Sequence, residues 1–274
     1  MLCARALPAA GTTIPHGTLE LVAEDQWITA GHPFSLGLRF ELEPGWHIYW
    51  LNPGDSGEPP RITWQFPEGL TPGPIEWPAP ERLGTSSIVD FGYGDRVMLI
   101  VPVRVTAGLP AGEPARLGAQ VKVLVCREMC IPGKAQLSLT LPVQSQPPAP
   151  DPRTRDLFRG ARKSLPRPAP GNWSFRLEDA NDSFMLTANL GHKITQAIFF
   201  PLAESQIENA APQELVPRDT GFRLVLHKSD QLQKPLDRLK GVLLLSGDRA
   251  YLIDVPLGKP RAAIKRYGAR TRPA

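Results

Sequence analysis

The stretch that decides the fold is residues 121–133, which read VKVLVCREMCIPG. Val121, Val123 and Val125 alternate with other residues up to Cys126, and a second cysteine follows four positions later. Such alternation is typical of a half-buried β-strand, because successive side chains point to opposite faces of a sheet. The stretch therefore predicts a strand that delivers a cysteine pair to its end, with the turn signal Pro132-Gly133 following it.

The same alternation recurs in both halves of the chain, and turn-forming segments such as Glu43-Pro44-Gly45 separate the runs. Several short strands at this spacing are typical of antiparallel β-sandwiches. The 24 glycines and 31 prolines, which show no three-residue period, fit many short strands joined by turns. The alternating runs are 36–42, 97–105, 117–125 and 137–143 in the first half, and 173–177, 184–190, 222–226 and 251–255 in the second.

A proline-rich break separates the two sets of strands. Residues 144–150 contain three prolines, and Asp151-Pro152 is typical of a helix start. A short helix is predicted up to about Lys163, before further prolines end it. The predicted class is all-β, with two antiparallel sandwich domains joined by a Pro-rich linker that carries a short helix. The predicted boundaries are 14–143 for the first domain, 144–171 for the linker, 172–258 for the second domain and 259–274 for a basic flexible tail.

Composition excludes several functions. The chain has 274 residues and a net charge of +4, much of it in the tail, and it lacks a basic stripe interleaved with aromatic residues. Nucleic-acid binding therefore has no support. No run approaches the ~18 to 20 apolar residues of a membrane helix. The N-terminus resembles the small-residue end of a truncated or missing signal peptide, and Cys3 at that edge is interpreted as an incidental leftover.

Spacing restricts what Cys126 and Cys130 can do. In an extended strand they would lie roughly 13 Å apart, whereas a disulfide needs Cα atoms within about 4.4–6.8 Å. The intervening residues must therefore bend for the sulfurs to meet. A bond that closes so small a loop restricts the unfolded chain weakly, which suits a bond that is made and broken. Arg127 favours a thiolate beside it electrostatically, and Glu128 opposes it.

Three interpretations of the pair remain open from the residues alone. It is a structural disulfide of a secreted domain, a redox-active pair, or a soft-metal site in which Met129 and His47 help the cysteines to bind copper. His47 is also a candidate base near the thiols. Zinc is disfavoured because the five histidines are scattered without paired spacing. The second region shows no catalytic constellation, so a structural or docking role is predicted for it.

Four blocks of sequence resemble the N-terminal periplasmic region of the DsbD/ScsB-type protein-disulfide reductases. They occur in the family's order and cover most of residues 17–143. The second region resembles, more loosely, the additional β-domain of the ScsB-like branch at 197–201 and 241–243. The four blocks are 45–60, 75–82, 91–94 and 124–133.

The resemblance implies immunoglobulin-like sandwiches and a redox pair formed by Cys126 and Cys130, with Cys130 as the attacking sulfur. In the family a cap loop with an aromatic residue shields the pair. The matching stretch is Leu83–Tyr93, which makes Phe91 or Tyr93 the predicted shield. His47, Arg127 and Glu128 are predicted to modulate the reactivity of the pair. No cofactor and no metal are predicted.

The function that this resemblance implies is a periplasmic thiol–disulfide interchange module, a component of a protein-disulfide reductase. It would take electrons from a membrane electron-donor domain and pass them to thioredoxin-fold disulfide isomerases or reductases. The alternative is a non-enzymatic extracytoplasmic binding module, either a copper-binding or an assembly domain, with a structural disulfide.

Overall fold

The computed structural model describes residues 11–84, 87–246 and 249–258. Cys3, the predicted tail 259–274 and two residues of the predicted cap stretch lie outside the described residues. Within these ranges the chain consists of β-strands and a single α-helix, so the predicted all-β class is confirmed.

The strands that precede the helix are β1 (Thr12–Ile14), β2 (Gly17–Ala23), β3 (Ile28–Thr29), β4 (Phe34–Leu42), β5 (His47–Gly54), β6 (Arg61–Gln65), β7 (Leu70–Pro72), β8 (Glu81–Gly84), β9 (Val89–Gly94), β10 (Arg96–Val105), β11 (Ala115–Cys126), β12 (Cys130–Leu141) and β13 (Val143–Gln144). The helix is α1 (Arg155–Lys163), and the later strands are β14 (Arg167–Pro168), β15 (Ser174–Ala180), β16 (Ser183–Asn189), β17 (Ala197–Pro201), β18 (Glu214–Arg218), β19 (Gly221–His227), β20 (Arg238–Leu245) and β21 (Arg249–Pro256).

The first domain is a sandwich of two sheets. One sheet has the order β1-β2-β4-β10-β7, and the other has the order β12-β11-β5-β9-β8 with β6 paired to β11. Alternate residues of the long strands fill the space between the sheets, as Leu117, Ala119 and Val121 of β11 do. This inward set is the one that the sequence alternation predicts, because side chains of period two share a face.

The second domain repeats the arrangement with two four-stranded sheets, β14-β21-β20-β17 and β15-β16-β19-β18. Their shared core includes Leu186, Phe199 and Leu243. Phe200 and Val242, in contrast, face the core of the first domain. Because neighbouring residues of β17 and β20 point to opposite faces, one sheet of the second domain closes its own core and covers part of the first domain.

The segment between the domains is held against both of them. Within it, β13 pairs in parallel with β3, and β14 pairs in parallel with β21. The helix packs through the buried ring of Phe158 onto Met98 and Ile100 of β10. These contacts attach the helix to a face of the first sandwich that would otherwise leave apolar side chains in water.

The helix starts later than the Asp151-Pro152 pattern predicts. Its first residue is Arg155, and Asp151 instead closes the preceding turn by accepting hydrogen bonds from the backbone N–H groups of Thr154 and Arg155. The side chain of Asp151 is held by the guanidinium of Arg153. This hydrogen bond lowers the pKa of the Asp151 carboxyl. The helix therefore begins only after that turn is complete. Among the described residues, no helix has the length and apolar character needed to cross a membrane.

Candidate redox site

The cysteine pair closes the tip of the longest hairpin. Strands β11 and β12 pair along their whole length, from Ala115 opposite Leu141 to Cys126 opposite Cys130. The bend that the spacing requires is a three-residue turn, in which the N–H of Arg127 donates to the carbonyl of Met129. It places the two cysteine Cα atoms 4.1 Å apart, and a disulfide joins the sulfurs.

Pro132-Gly133 is not the turn that its sequence suggests. Both residues lie inside β12, opposite Leu124 and Val123. A side chain on Gly133 would come within 2.7 Å of Pro15, so glycine here permits close packing and not a change of direction. The turn residues are Arg127, Glu128 and Met129, which lack glycine and proline and therefore give no turn signal.

The two sulfurs differ in their access to solvent. Cys126 is 2% exposed, whereas Cys130 is exposed at the start of β12. The turn residues beside them are also exposed, including 69% of Met129. Thiol–disulfide exchange needs a sulfur that an incoming group can approach in line. The geometry therefore offers Cys130 to a visiting protein and keeps Cys126 behind it.

Tyr49 of β5 is the aromatic residue that contacts the pair. Its hydroxyl oxygen lies 3.2 Å from Sγ of Cys130. A disulfide sulfur carries no hydrogen, so the tyrosine is the donor in this state. The ring is 1% exposed. Burial raises the pKa of the Tyr49 hydroxyl, with a smaller opposing effect of its hydrogen bond to Ser56. The group is therefore a protonated donor at neutral pH.

A polar network continues from Tyr49 into the protein. Its hydroxyl lies 3.4 Å from Oγ of Ser56, which donates to Asp90 Oδ1 at 2.9 Å. The backbone N–H of Ser56 donates to the same oxygen at 3.1 Å. The other carboxylate oxygen of Asp90 lies 3.7 Å from Nε2 of His47. The network thus connects an exposed sulfur to a buried acid and a buried imidazole.

His47, one of the predicted modulators, is a buried residue of β5. It is paired directly with Cys126 across β5 and β11, and its ring packs edge-on against Tyr49. Within the described part of the chain its buried Nε2 has no hydrogen-bond partner. A buried nitrogen without a hydrogen bond is costly, which makes this ring position an unusual feature of the site.

The charged modulators predicted on the turn have different surroundings. The guanidinium of Arg127 lies over the ring of Trp46, 5.0 Å from its centroid. The imidazole of His16 stacks in parallel on Trp46 at 3.7 Å. Arg127 is therefore held by a cation–π contact, and Glu128 is exposed beside it.

Phe91 and Tyr93, the predicted shield, are both buried side chains of β9. Phe91 lies in the core, where its ring packs against Trp50 and Phe200. The hydroxyl of Tyr93 donates to the carbonyl of Pro78, and burial raises its pKa well above the usual range. Both side chains point inward from β9, on the buried face of the sheet. The aromatic ring against Cys130 is that of Tyr49.

Gly57 packs against the ring of Tyr49, and this contact leads to a first prediction. Its φ is +76°, and a Cβ atom added there would lie 2.1–2.4 Å from the ring of Tyr49. Gly57→Ala is expected to displace that ring and to lower the free energy of unfolding by about 1–3 kcal/mol, measured by urea denaturation. Gly191→Ala is the matched control, because Gly191 has a φ of +80° and open space around it. Equal losses in both variants would contradict a specific contact with Tyr49.

A further property of the site is its set of side chains that could bind a metal ion. In residues 11–84, 87–246 and 249–258, no group of three or more His, Cys, Asp or Glu side chains is arranged to hold an ion. Asp90 accepts a hydrogen bond from Ser56, and the ring of His47 packs edge-on against Tyr49.

The comparisons with known proteins agree with this geometry. Residues 18–142 match the family described as thiol:disulfide interchange protein DsbD, N-terminal. The fold is similar to the N-terminal periplasmic domain of ScsB from Proteus mirabilis, with a TM-score of 0.69 and 17% identity over 92% of this chain and 98% of that one. This likeness confirms the predicted pair of immunoglobulin-like sandwiches.

Other solved structures are far less similar. Domains 5-6 of the S-layer protein SbsC give a TM-score of 0.25 at 9% identity, over 91% of this chain and 98% of that one. The YadV chaperone gives 0.23 at 9% identity, over 87% and 100%. No curated protein matches the chain by sequence. The stretch that is similar to the DsbD N-terminal family of thiol:disulfide interchange proteins, residues 18–142, contains the hairpin and its disulfide.

Proposed function

We propose that this chain passes electrons to periplasmic thioredoxin-fold proteins by dithiol–disulfide exchange at Cys126 and Cys130. The observation that carries the proposal is the asymmetry of the pair, an exposed cysteine bonded to a buried one at the tip of a hairpin of twelve residue pairs. The working domain is 14–143. The periplasmic location is supported by the ScsB domain, whose description places it there.

The proposed reaction begins with the reduced pair. The thiolate of Cys130 attacks one sulfur of the partner's disulfide, whose other sulfur leaves as a thiolate and takes up a proton. Cys126 then loses its proton and attacks Cys130, which releases the partner's second thiol. Two electrons and two protons pass to the partner, and the Cys126–Cys130 disulfide remains. A dithiol donor, the membrane domain in the family, would reduce it again.

Tyr49 fits this sequence in both redox states. Toward the disulfide it donates a neutral hydrogen bond to Cys130, and toward the thiolate the same donor makes a stronger, charge-assisted one. Burial raises the pKa of the Tyr49 hydroxyl, so this hydroxyl stays protonated and does not place a second negative charge beside the thiolate. The residue thus favours the reactive form of Cys130 without a proton transfer of its own.

A trapping experiment tests the assignment. Cys126→Ser removes the resolving sulfur, so the mixed disulfide should accumulate. The partner is a purified thioredoxin-fold isomerase whose second active-site cysteine is serine and whose first carries thionitrobenzoate. We expect release of one equivalent of thionitrobenzoate and a covalent complex on a non-reducing gel. Mapping by mass spectrometry should place the link at Cys130.

Two results would contradict the proposal. One is failure to form the complex while the same partner reacts with a small thiol. The other is a reduction potential of the wild-type pair more negative than about −300 mV, which is the range of structural disulfides. Either result would favour the alternative of a non-enzymatic module with a structural bond.

A further inference from the structure

The segment Asn52–Gly57, which comprises the end of β5 and the three residues after it, lies between the redox site and the second domain. On the redox side, Ser56 contacts Tyr49 and Asp90. Gly57 lies directly under the ring of Tyr49. Any displacement of this segment would therefore move the groups that hold Tyr49 against Cys130.

The opposite side of the segment is held by the second domain. The amide of Asn209 donates to Oδ1 of Asp55 at 2.8 Å, and Asn209 is 7% exposed. The amide of Asn52 donates to the carbonyls of Pro201 and Ala203, at 2.8 and 3.3 Å. These bonds join residues that lie about 150 positions apart, as 149, 151 and 154 separate the partners.

Asp55, which is bound by the second domain, is also hydrogen-bonded to β9. Its second oxygen accepts the N–H of Val89 at 2.8 Å, and its own N–H donates to the carbonyl of Val89 at 3.0 Å. Asp90, the acceptor for Ser56, is the next residue along β9. From the other direction, Arg82 donates to the carbonyl of Asn209. One carboxylate thus ties the second domain to the strand that holds Ser56.

We propose that the second domain is a positioning element of the redox site, which fixes Tyr49 through Asn209, Asp55 and Ser56 and thereby sets the reactivity of Cys130. This inference rests on the proposed function, in which Cys130 is the attacking sulfur. It assigns to the second domain a role in the reaction without any group that touches the sulfur.

The physical reason is the loss of a hydrogen bond that fixes the segment to a buried side chain of the second domain. Asp55 is itself exposed, so removing the Asn209 amide exchanges this fixed bond for water and leaves the segment free to move. Ser56 moves with it, and Tyr49 loses its support. Because a hydrogen bond to a charged acceptor favours the charged form, a loosened Tyr49 leaves the Cys130 thiolate less stable.

The test measures the alkylation rate of Cys130 by iodoacetamide as a function of pH. It uses the full chain with Cys126→Ser and follows the Cys130 peptide by mass spectrometry, so that Cys3 does not interfere. Asn209→Ala is expected to move the midpoint of the pH profile upward, with a thiolate fraction about threefold lower below the midpoint, the size of a weak hydrogen bond. The rate at high pH reports access to the sulfur separately.

Two variants make the result specific. Asn189→Ala is the matched control, because Asn189 is an exposed residue at the end of β16 whose side chain accepts the N–H of Gly191; its profile should be unchanged. Tyr49→Phe should itself raise the midpoint, and adding Asn209→Ala to it should change nothing further, because both act through one hydroxyl. Asn209→Asp, which preserves the size of the side chain and faces Asp55 with a like charge, should shift the midpoint in the same direction.

An unchanged midpoint in both Asn209 variants would overturn the inference, and so would a shift of equal size with and without Tyr49. The experiment needs no protein partner. If Cys126→Ser fails in the trapping experiment while the Asn209 shift is present, the proposed function is wrong and the coupling is real. If trapping succeeds without the shift, only the coupling is wrong.

Discussion

Cys130→Ser is expected to abolish reduction of thioredoxin-fold partners and to leave the fold intact. The other thiol of the pair, that of Cys126, belongs to a residue that is 2% exposed, so it cannot approach a partner's disulfide in line. The rate should fall to that of the uncatalysed mixture. Stopped-flow measurement of the partner's thiol release, with the reduced protein in excess, gives this rate directly.

The matched control for that variant is Cys126→Ser. It retains the exposed sulfur and should complete the first step at a normal rate, stopping at the mixed disulfide. Circular dichroism should be the same for both variants, because twelve residue pairs hold the hairpin without the bond. Normal turnover by Cys130→Ser, or the trapping of a partner on Cys126, would reverse the assigned order of the two sulfurs.

Phe200→Ala is expected to cause the largest loss of stability, about 3–5 kcal/mol. The ring belongs to β17 of the second domain, yet it packs edge-on against Trp50 and Phe91 of the first, at centroid distances of 6.3 and 5.2 Å. Truncation would leave a cavity between the two sandwiches, because their strands cannot move together to fill the space of the lost ring. Urea denaturation monitored by tryptophan fluorescence measures the loss, since Trp50 borders the site.

Leu252→Ala is the control for Phe200→Ala. Leu252 lies on β21 of the second domain and is partly exposed, so its truncation should cost less than about 1 kcal/mol. A loss of similar size in both variants would mean that Phe200 contributes only ordinary surface packing. The domains would then be joined by the polypeptide between them and not by a shared core.

The strands were predictable because their signal is local. Runs such as 36–42 and 117–125 alternate apolar and other residues, and the structure buries the apolar set. The cysteine spacing predicts a bend at residues 127–129 if the sulfurs are bonded, but the turn has no local signal of its own, because its residues include no glycine or proline. It is fixed by the pairing of β11 with β12, which begins far from the tip at Ala115 and Leu141.

The chemistry of the site was predictable only in part. The cysteines are recognisable by type and spacing, and His47 is recognisable by its chemistry. Tyr49 shares a strand face with His47, but its place beside Cys130 depends on the pairing of β5 with β11, which no local pattern encodes. Alternation also explains why Phe91 and Tyr93 point inward, since they share a face with Val89 in a strand covered by both domains.

The contacts of the second domain with the redox site were even less predictable from the sequence. Asn52 is bound there by the backbone carbonyls of Pro201 and Ala203, and every residue type has a carbonyl. Asn209 lies in a loop where asparagine is ordinary. Only the three-dimensional arrangement distinguishes these residues from others of the same composition.

The disulfide spans two residues that the backbone already places opposite one another, at the end of a ladder of twelve pairs. Gaining or losing electrons there alters one covalent link and leaves the outline of the protein unchanged. A partner protein would contact the same surface whether the cysteine pair is reduced or oxidised. Discrimination between the two forms would then have to come from the sulfur itself, at the moment of collision.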